Sequence, residues 1–167
     1  MIRYVFLLLG GLFLFPALHA QNYHSVREAF AQKDKVRSLT IPKGASLTMG
    51  DWRRIMQLKN LEELHIHTNA LAIIPDVIGR LENLRRLTLD TDVELRWPEE
   101  AMPRLSKLEY LKLSGCLGEE TPDFVWGYTQ LQTLIIEDES VTRPLQGLEN
   151  LRRLQELELH LPGLESW

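Results

Sequence analysis

An aliphatic-x-x-aliphatic-x-aliphatic pattern returns six times along this chain, opening at Val36, Leu61, Leu84, Leu108, Leu131 and Leu154. Successive openings lie 25, 23, 24, 23 and 23 residues apart. A nearly fixed period of this size restricts the chain to stacked supersecondary units, because one unit cannot bury its own aliphatic side chains and only a neighbour of the same shape can cover them. In the copy that opens at Leu61, Leu64 and Ile66 alternate with Glu63, His65 and His67, the period-2 spacing of a strand with one buried face. Asn69 then turns the chain and Ile74-Pro75 sets an extended step. Ile78 and Leu81, three apart, predict a short helical or 3₁₀ turn on the outer side. Later copies keep the strand and vary the return. Trp97-Pro98 and Thr121-Pro122 take the Ile-Pro step, while Val125 with Tyr128, then Leu148 with Leu151, replace Ile78 and Leu81.

The segment 61–83, LEELHIHTNALAIIPDVIGRLEN, resembles the 23-residue leucine-rich repeat consensus L-x-x-L-x-L-x-x-N-x-L-x-x-I-P-x-x-I-x-x-L-x-x at every apolar position. The resemblance implies an α/β fold: a short curved solenoid with a parallel β-sheet on its concave face and short helices, 3₁₀ turns and loops on its convex face. The Asn column of that consensus is poorly kept. Gly44, Asp92, Cys116, Glu139 and Pro162 stand where Asn69 does, so less regular turns are expected there. Cys116 is a recognised substitute for Asn in the consensus, and its expected role is a buried structural thiol; the alternative is a reactive or intermolecular one. As the one cysteine it allows no intramolecular disulfide, which leaves stability to packing at about 1.5–3 kcal/mol per buried Leu or Ile. With no N-x-S/T sequon and no paired-cysteine cap, the resemblance is closer to small exported bacterial leucine-rich repeat proteins.

A 167-residue chain that is 44% hydrophobic and has no low-complexity or Gly/Ser-rich stretch makes one domain, here the repeats of 36–167. Ahead of it, Met1-Ile2-Arg3, an uncharged apolar run from Tyr4 to Phe15, Pro16 and a small residue at Ala20 read as a secretory signal peptide over 1–20 that stays outside the fold. The run is about a dozen residues, short of the roughly 20 that span a bilayer, so no stable membrane anchor is expected; a retained signal anchor is the alternative. The predicted destination is the periplasm or the exterior. Residues 21–35 hold an expected N-terminal capping helix, with Ser25 and Glu28 at capping-box spacing and an apolar stripe of Val26, Ala29 and Phe30. At the other end Leu161, Leu164 and Trp167 are the available cap, and the ragged edge is read either as a stability liability or as a sticky edge open to self-association.

A net charge of −4 with no Lys/Arg stripe argues against nucleic acid as the partner. No G-x-S-x-G elbow, P-loop, H-E-x-x-H or paired-carboxylate cleft can be placed, so neither an enzyme nor a cofactor is expected. Trp52, Trp97 and Trp126 fall on the return side, where filling the core edge is the commoner role than a sugar platform.

Function is therefore sought on the concave sheet, where polar strand positions from successive repeats form columns about 4.8 Å apart. They are Ser38, Glu63, Arg86, Tyr110, Thr133 and Glu156; Thr40, His65, Thr88, Lys112, Ile135 and Glu158; and Pro42, His67, Asp90, Ser114, Glu137 and His160. Tyr110 and Ile135 put apolar bulk where solvent is expected, the mark of a contact patch, and Glu137, Asp138, Glu156 and Glu158 make that half acidic. The expected protein-binding set is Glu63, His65, His67, Arg86, Asp90, Tyr110, Lys112, Ile135, Glu137, Glu156 and Glu158. The competing reading is a metal or ligand site, since His65 and His67 project from one face of a strand with Asp90 or Glu63 as a third ligand.

Overall fold

The computed structural model describes residues 4–7, 22–143 and 145–164. Its core is a curved, open sheet in which six strands occur once per repeat: β3 (Ser38–Ile41), β4 (Glu63–His67), β5 (Arg86–Asp90), β6 (Tyr110–Ser114), β7 (Thr133–Glu137) and β8 (Glu156–His160). These and a short β2 (Asn22–Tyr23) are parallel and stacked in chain order. An additional β1 (Tyr4–Leu7) lies antiparallel on the far edge of β8. Of the segment 1–20 expected to stay outside the fold, residues 4–7 therefore join the sheet, while residues 1–3 and 8–20 lie outside the described residues. β2 also lies ahead of the first predicted strand and has no repeat signature.

Register follows the aliphatic columns. Leu64, Leu87, Leu111, Leu134 and Leu157 face one another across β4 to β8, and so do Ile66, Leu89, Leu113, Ile136 and Leu159. From Leu64 to Ile136 every one of these side chains is fully buried. The openings at Val36, Leu61, Leu84, Leu108 and Leu131 form a third buried column, which loosens at the half-exposed Leu154. Each repeat enters its strand by the same backbone device: the carbonyl of one residue accepts from two consecutive amides of the next repeat. Arg37 receives Glu62 and Glu63, Glu62 receives Arg85 and Arg86, and Gln132 receives Gln155 and Glu156. A period that loses no donor at the strand entrance can repeat indefinitely, which explains why the stack tolerates 23- to 25-residue units.

The return paths are 3₁₀ turns where the sequence expects them, at Asp76–Arg80, Met102–Arg104, Asp123–Gly127 and Leu148–Asn150. Pro75 and Pro122 precede the first and third of these in extended conformation, as the fixed proline φ favours. In the first repeat the return is instead an α-helix, α2 (Met49–Ile55), stopped at its start by a capping box between Thr48 and Asp51. The Thr48 hydroxyl accepts from the Asp51 amide at 3.2 Å, and the Asp51 carboxylate accepts from the Thr48 amide at 3.0 Å. The Ser25 box is not formed. α1 (Val26–Ala31) does begin after Ser25, but no side-chain bond caps it. Its stripe is nonetheless used, with Val26 and Ala29 buried where α1 packs against β2, β3 and α2. Trp52 and Trp126 are buried in the core, and Trp97 stacks tilted on Phe124 with ring centres 5.3 Å apart.

The buried polar turn column stands one position earlier than the consensus Asn. Asn69 is exposed, while Thr68 and Thr91 are buried. Thr68 donates to the Ala45 carbonyl, and the Thr91 hydroxyl donates to the Val93 carbonyl at 2.8 Å and accepts from its amide. Gly115 follows in this column at φ +60°, where a Cβ would stand 2.1 Å from the Thr91 carbonyl oxygen. That conformation turns Cys116 inward, and it is fully buried. Asp138 comes next, also buried; its carboxylate accepts from the amides of Leu117 at 2.8 Å and Ser140 at 2.9 Å. Asp138 thus belongs to the turns and not to the acidic end of the concave face. It supplies the amide-satisfying acceptor that the missing Asn column would have supplied.

Candidate concave binding face

Strand pairing brings the three polar columns together in the predicted register. Glu63, Arg86, Tyr110, Thr133 and Glu156 run across β4 to β8, as do His65, Thr88, Lys112, Ile135 and Glu158, and His67, Asp90, Ser114, Glu137 and His160. Lateral spacing is short enough for each row to bond to the next. His65 Nδ1 lies 2.9 Å from the Thr88 hydroxyl, and His67 Nδ1 lies 3.1 Å from the Asp90 carboxylate. Lys112 Nζ is 2.7 Å from Glu137, Thr133 donates to Glu156 at 3.2 Å, and Glu63 stands 3.9 Å from Arg86. The Arg86 guanidinium is centred 4.0 Å above the Tyr110 ring, a cation–π contact that fixes both. Thr88 and Ser38 are buried by their neighbours, so two column members offer little surface.

Burial holds the His65 imidazole below its ordinary pKa; Glu63 opposes this, and Arg86 and His67 add to it. Burial likewise raises the Tyr110 phenol, against the pull of Arg86 and Lys112. The Cys116 thiol is pushed up to about 12 by burial and by the Asp138 carboxylate. It stays protonated at neutral pH, which fits the structural and not the reactive role.

His65, His67 and Asp90 do not assemble a chelate: among the described residues no group of three His, Cys, Asp or Glu side chains could hold a metal ion. The two imidazoles turn to separate partners instead, Thr88 and Asp90. Tyr110 and Ile135 are half-buried, and among the described residues the most exposed large apolar side chains lie elsewhere, at Met49, Ile73 and Val93. The sequence carried a signal for Ile73, since only one residue of the Ile73-Ile74 pair can face the core, and that one is Ile74 at 1% exposure. Beside the return turns a groove of about 490 Å³ is lined by Trp126, Thr129, Gln130, Asn150, Arg152 and Arg153. Trp126 is only 7% exposed there and offers no free ring face to a sugar. No helix among the described residues is long and apolar enough to cross a membrane. Glu165, Ser166 and the expected cap residue Trp167 lie outside the described residues.

No protein-family profile matches the sequence. The fold does match solved structures. An internalin from Listeria monocytogenes superposes with a TM-score of 0.60 at 21% identity, over 75% of this chain and 35% of the internalin. The plant peptide hormone receptor RGFR1, solved in complex with RGF2, gives 0.53 at 21% identity over 80% of this chain and 25% of the receptor. A leucine-rich repeat protein from Leptospira interrogans gives 0.44 at 20% identity, over 80% of this chain and 51% of that protein. The chain spans about a third of the internalin and a quarter of the receptor. Together with the stacked parallel strands, the likenesses to the internalin and the receptor establish the leucine-rich repeat solenoid as its fold.

Proposed function

With the leucine-rich repeat fold as premise, we propose that the chain is an exported, non-enzymatic interaction module that binds a protein on its concave sheet. The observation that carries this reading is the centre of that sheet. Tyr110 and Ile135 sit diagonally on β6 and β7 amid charged side chains already paired laterally: Arg86 on the Tyr110 ring, Lys112 on Glu137, and Glu63 beside Arg86. Side chains whose rotamers are fixed before binding lose less entropy on contact, and half-buried aromatic or aliphatic groups with a charged rim suit a protein surface. The RGF2 complex of the receptor with the same fold supports a polypeptide as the class of partner. Export rests on the basic start, the apolar run and Ala20, and on these the mature chain begins at Gln21.

A cross-linked pull-down from the native envelope with residues 21–167 as bait, repeated with Tyr110→Ala combined with Ile135→Ser, tests the reading. The double substitution should cost at least about 2 kcal/mol of affinity for the captured partner with the melting temperature little changed. Capture that survives it, but is lost on altering the exposed Arg53 and Arg54 of α2, would place the working surface on the convex side.

A further inference from the structure

The outer edge of β8 carries an observation that the concave face does not use. The Glu156 amide donates to Gln132, and the His160 carbonyl accepts from Asp138, so both residues direct their backbone groups inwards, to the β7 side. Backbone direction alternates along a strand, which leaves the N–H and C=O groups of Leu157 and Leu159 pointing outwards. At the end of a repeat stack such groups are a template for any extended chain. Here they face β1, with Leu159 opposite Tyr4 and Leu157 opposite Phe6.

We infer that Tyr4–Leu7 is an intramolecular clasp: before any processing, the chain's own N-terminal segment closes the C-terminal edge of its solenoid by antiparallel strand addition. Three features favour this occupant. The alternation makes Tyr4–Leu159 and Phe6–Leu157 the hydrogen-bonded pairs, so each outward group of β8 meets a partner in the register observed. The apolar segment places no second acid opposite Glu156 or Glu158, whereas β8 of a second copy, paired antiparallel about its own centre, would set Glu158 against Glu158. The chain is also long enough. β1 and β2 end the sheet at opposite sides, seven strand steps or roughly 34 Å apart, while the 15 residue steps from Leu7 to Asn22 can reach roughly 50 Å. Cleavage after Ala20 would remove the clasp and open the edge of β8 to an extended segment in trans, which couples processing to exposure of an interaction edge.

Two measurements on the full chain, made by cell-free synthesis so that it stays unprocessed, test this. Amide exchange at Leu157 and Leu159 should be at least about tenfold slower than in a Tyr4→Pro, Phe6→Pro variant, which lacks the two donors, with Leu87 and Leu111 unchanged between the two. Equal exchange would overturn the clasp. Independently, Val5→Cys with Glu158→Cys occupies a non-hydrogen-bonded pair, where Cα atoms lie about 4.5 Å apart and a disulfide can close. Mild oxidation should cross-link it within one molecule, while Val5→Cys with Ile135→Cys, one strand further in, should not. A cross-link that joins two molecules, or none at all, would overturn the assignment.

Discussion

At the residue scale, two positions have consequences beyond their own contacts. His65 is neutral-favouring in the fold because burial disfavours its charge. Its folded pKa lies below the ordinary value of about 6.5, so above that pH it is uncharged in both states and contributes no pH dependence. As pH falls through 6.5 the unfolded chain takes the proton first, and stability is lost until the folded form protonates too. Urea midpoints at pH 7.5 and pH 5.0 should therefore differ more for the native chain than for His65→Gln; an equal difference would remove His65 from the acid sensitivity. Gly115 is the second position. Ala there would have to hold φ +60° with its Cβ against the Thr91 carbonyl, and Gly115→Ala should destabilise by roughly 2–4 kcal/mol in chemical denaturation. Gly127, with open space around its missing Cβ and no positive φ, is the control, and Ala there should be near neutral.

Within single elements, the period-2 register of β6 separates neighbours one residue apart. Leu111 is fully buried between Leu87 and Leu134, so Leu111→Ala should cost roughly 2–5 kcal/mol. Lys112 next to it has a part-exposed ion pair with Glu137, and Lys112→Ala should stay within about 1 kcal/mol. Similar losses at both would mean that the strand is read one residue out. At α2 the capping box lies at the surface, so Thr48→Ala should cost about 1 kcal/mol by loss of the two bonds that the Thr48 hydroxyl makes, one to the Asp51 carboxylate and one from the Asp51 amide, without moving the core. At α1 the corresponding Ser25→Ala should have little effect, because that serine caps nothing.

For the whole molecule, a solenoid's stability is a sum of repeat and nearest-neighbour terms, so opening should proceed from the ends. Interior repeats have fully buried columns on both sides, while the repeat that opens at Leu154 is half-exposed at that position and at Leu161 and Leu164. Native-state hydrogen exchange should show β5 and β6 opening only with global unfolding and β8 opening at lower free energy. Uniform protection across the sheet would mean that the array unfolds as one cooperative block. Asp138 gives a second test at this scale, since it joins the turn of one repeat to the Leu117 amide of the one before. Asp138→Ala leaves that buried donor without an acceptor, and a cost of about 1–3 kcal/mol is expected in chemical denaturation.

The six strands, their register, the 3₁₀ returns after Pro75 and Pro122, and the concave columns across β4 to β8 follow from the sequence alone, whereas Pro42 falls just past the end of β3 and outside its column. The reason is that the period is local and each repeat states it again, so errors in one copy are corrected by the next. Whatever falls outside the period is decided in three dimensions. The Ser25 spacing promised a cap that packing did not use, and Thr48-x-x-Asp51 formed one because its helix lies on the first return. The turn acceptors moved from Asn69 to the Thr68, Thr91 and Asp138 column because burial depends on how neighbouring turns stack. His65 and His67 look like a chelating pair along one strand, yet across strands each finds a closer partner in Thr88 and Asp90. The pairing of Tyr4–Leu7 with β8 joins residues some 150 positions apart in sequence, a contact that no local pattern encodes and that only the tertiary arrangement of the stack decides.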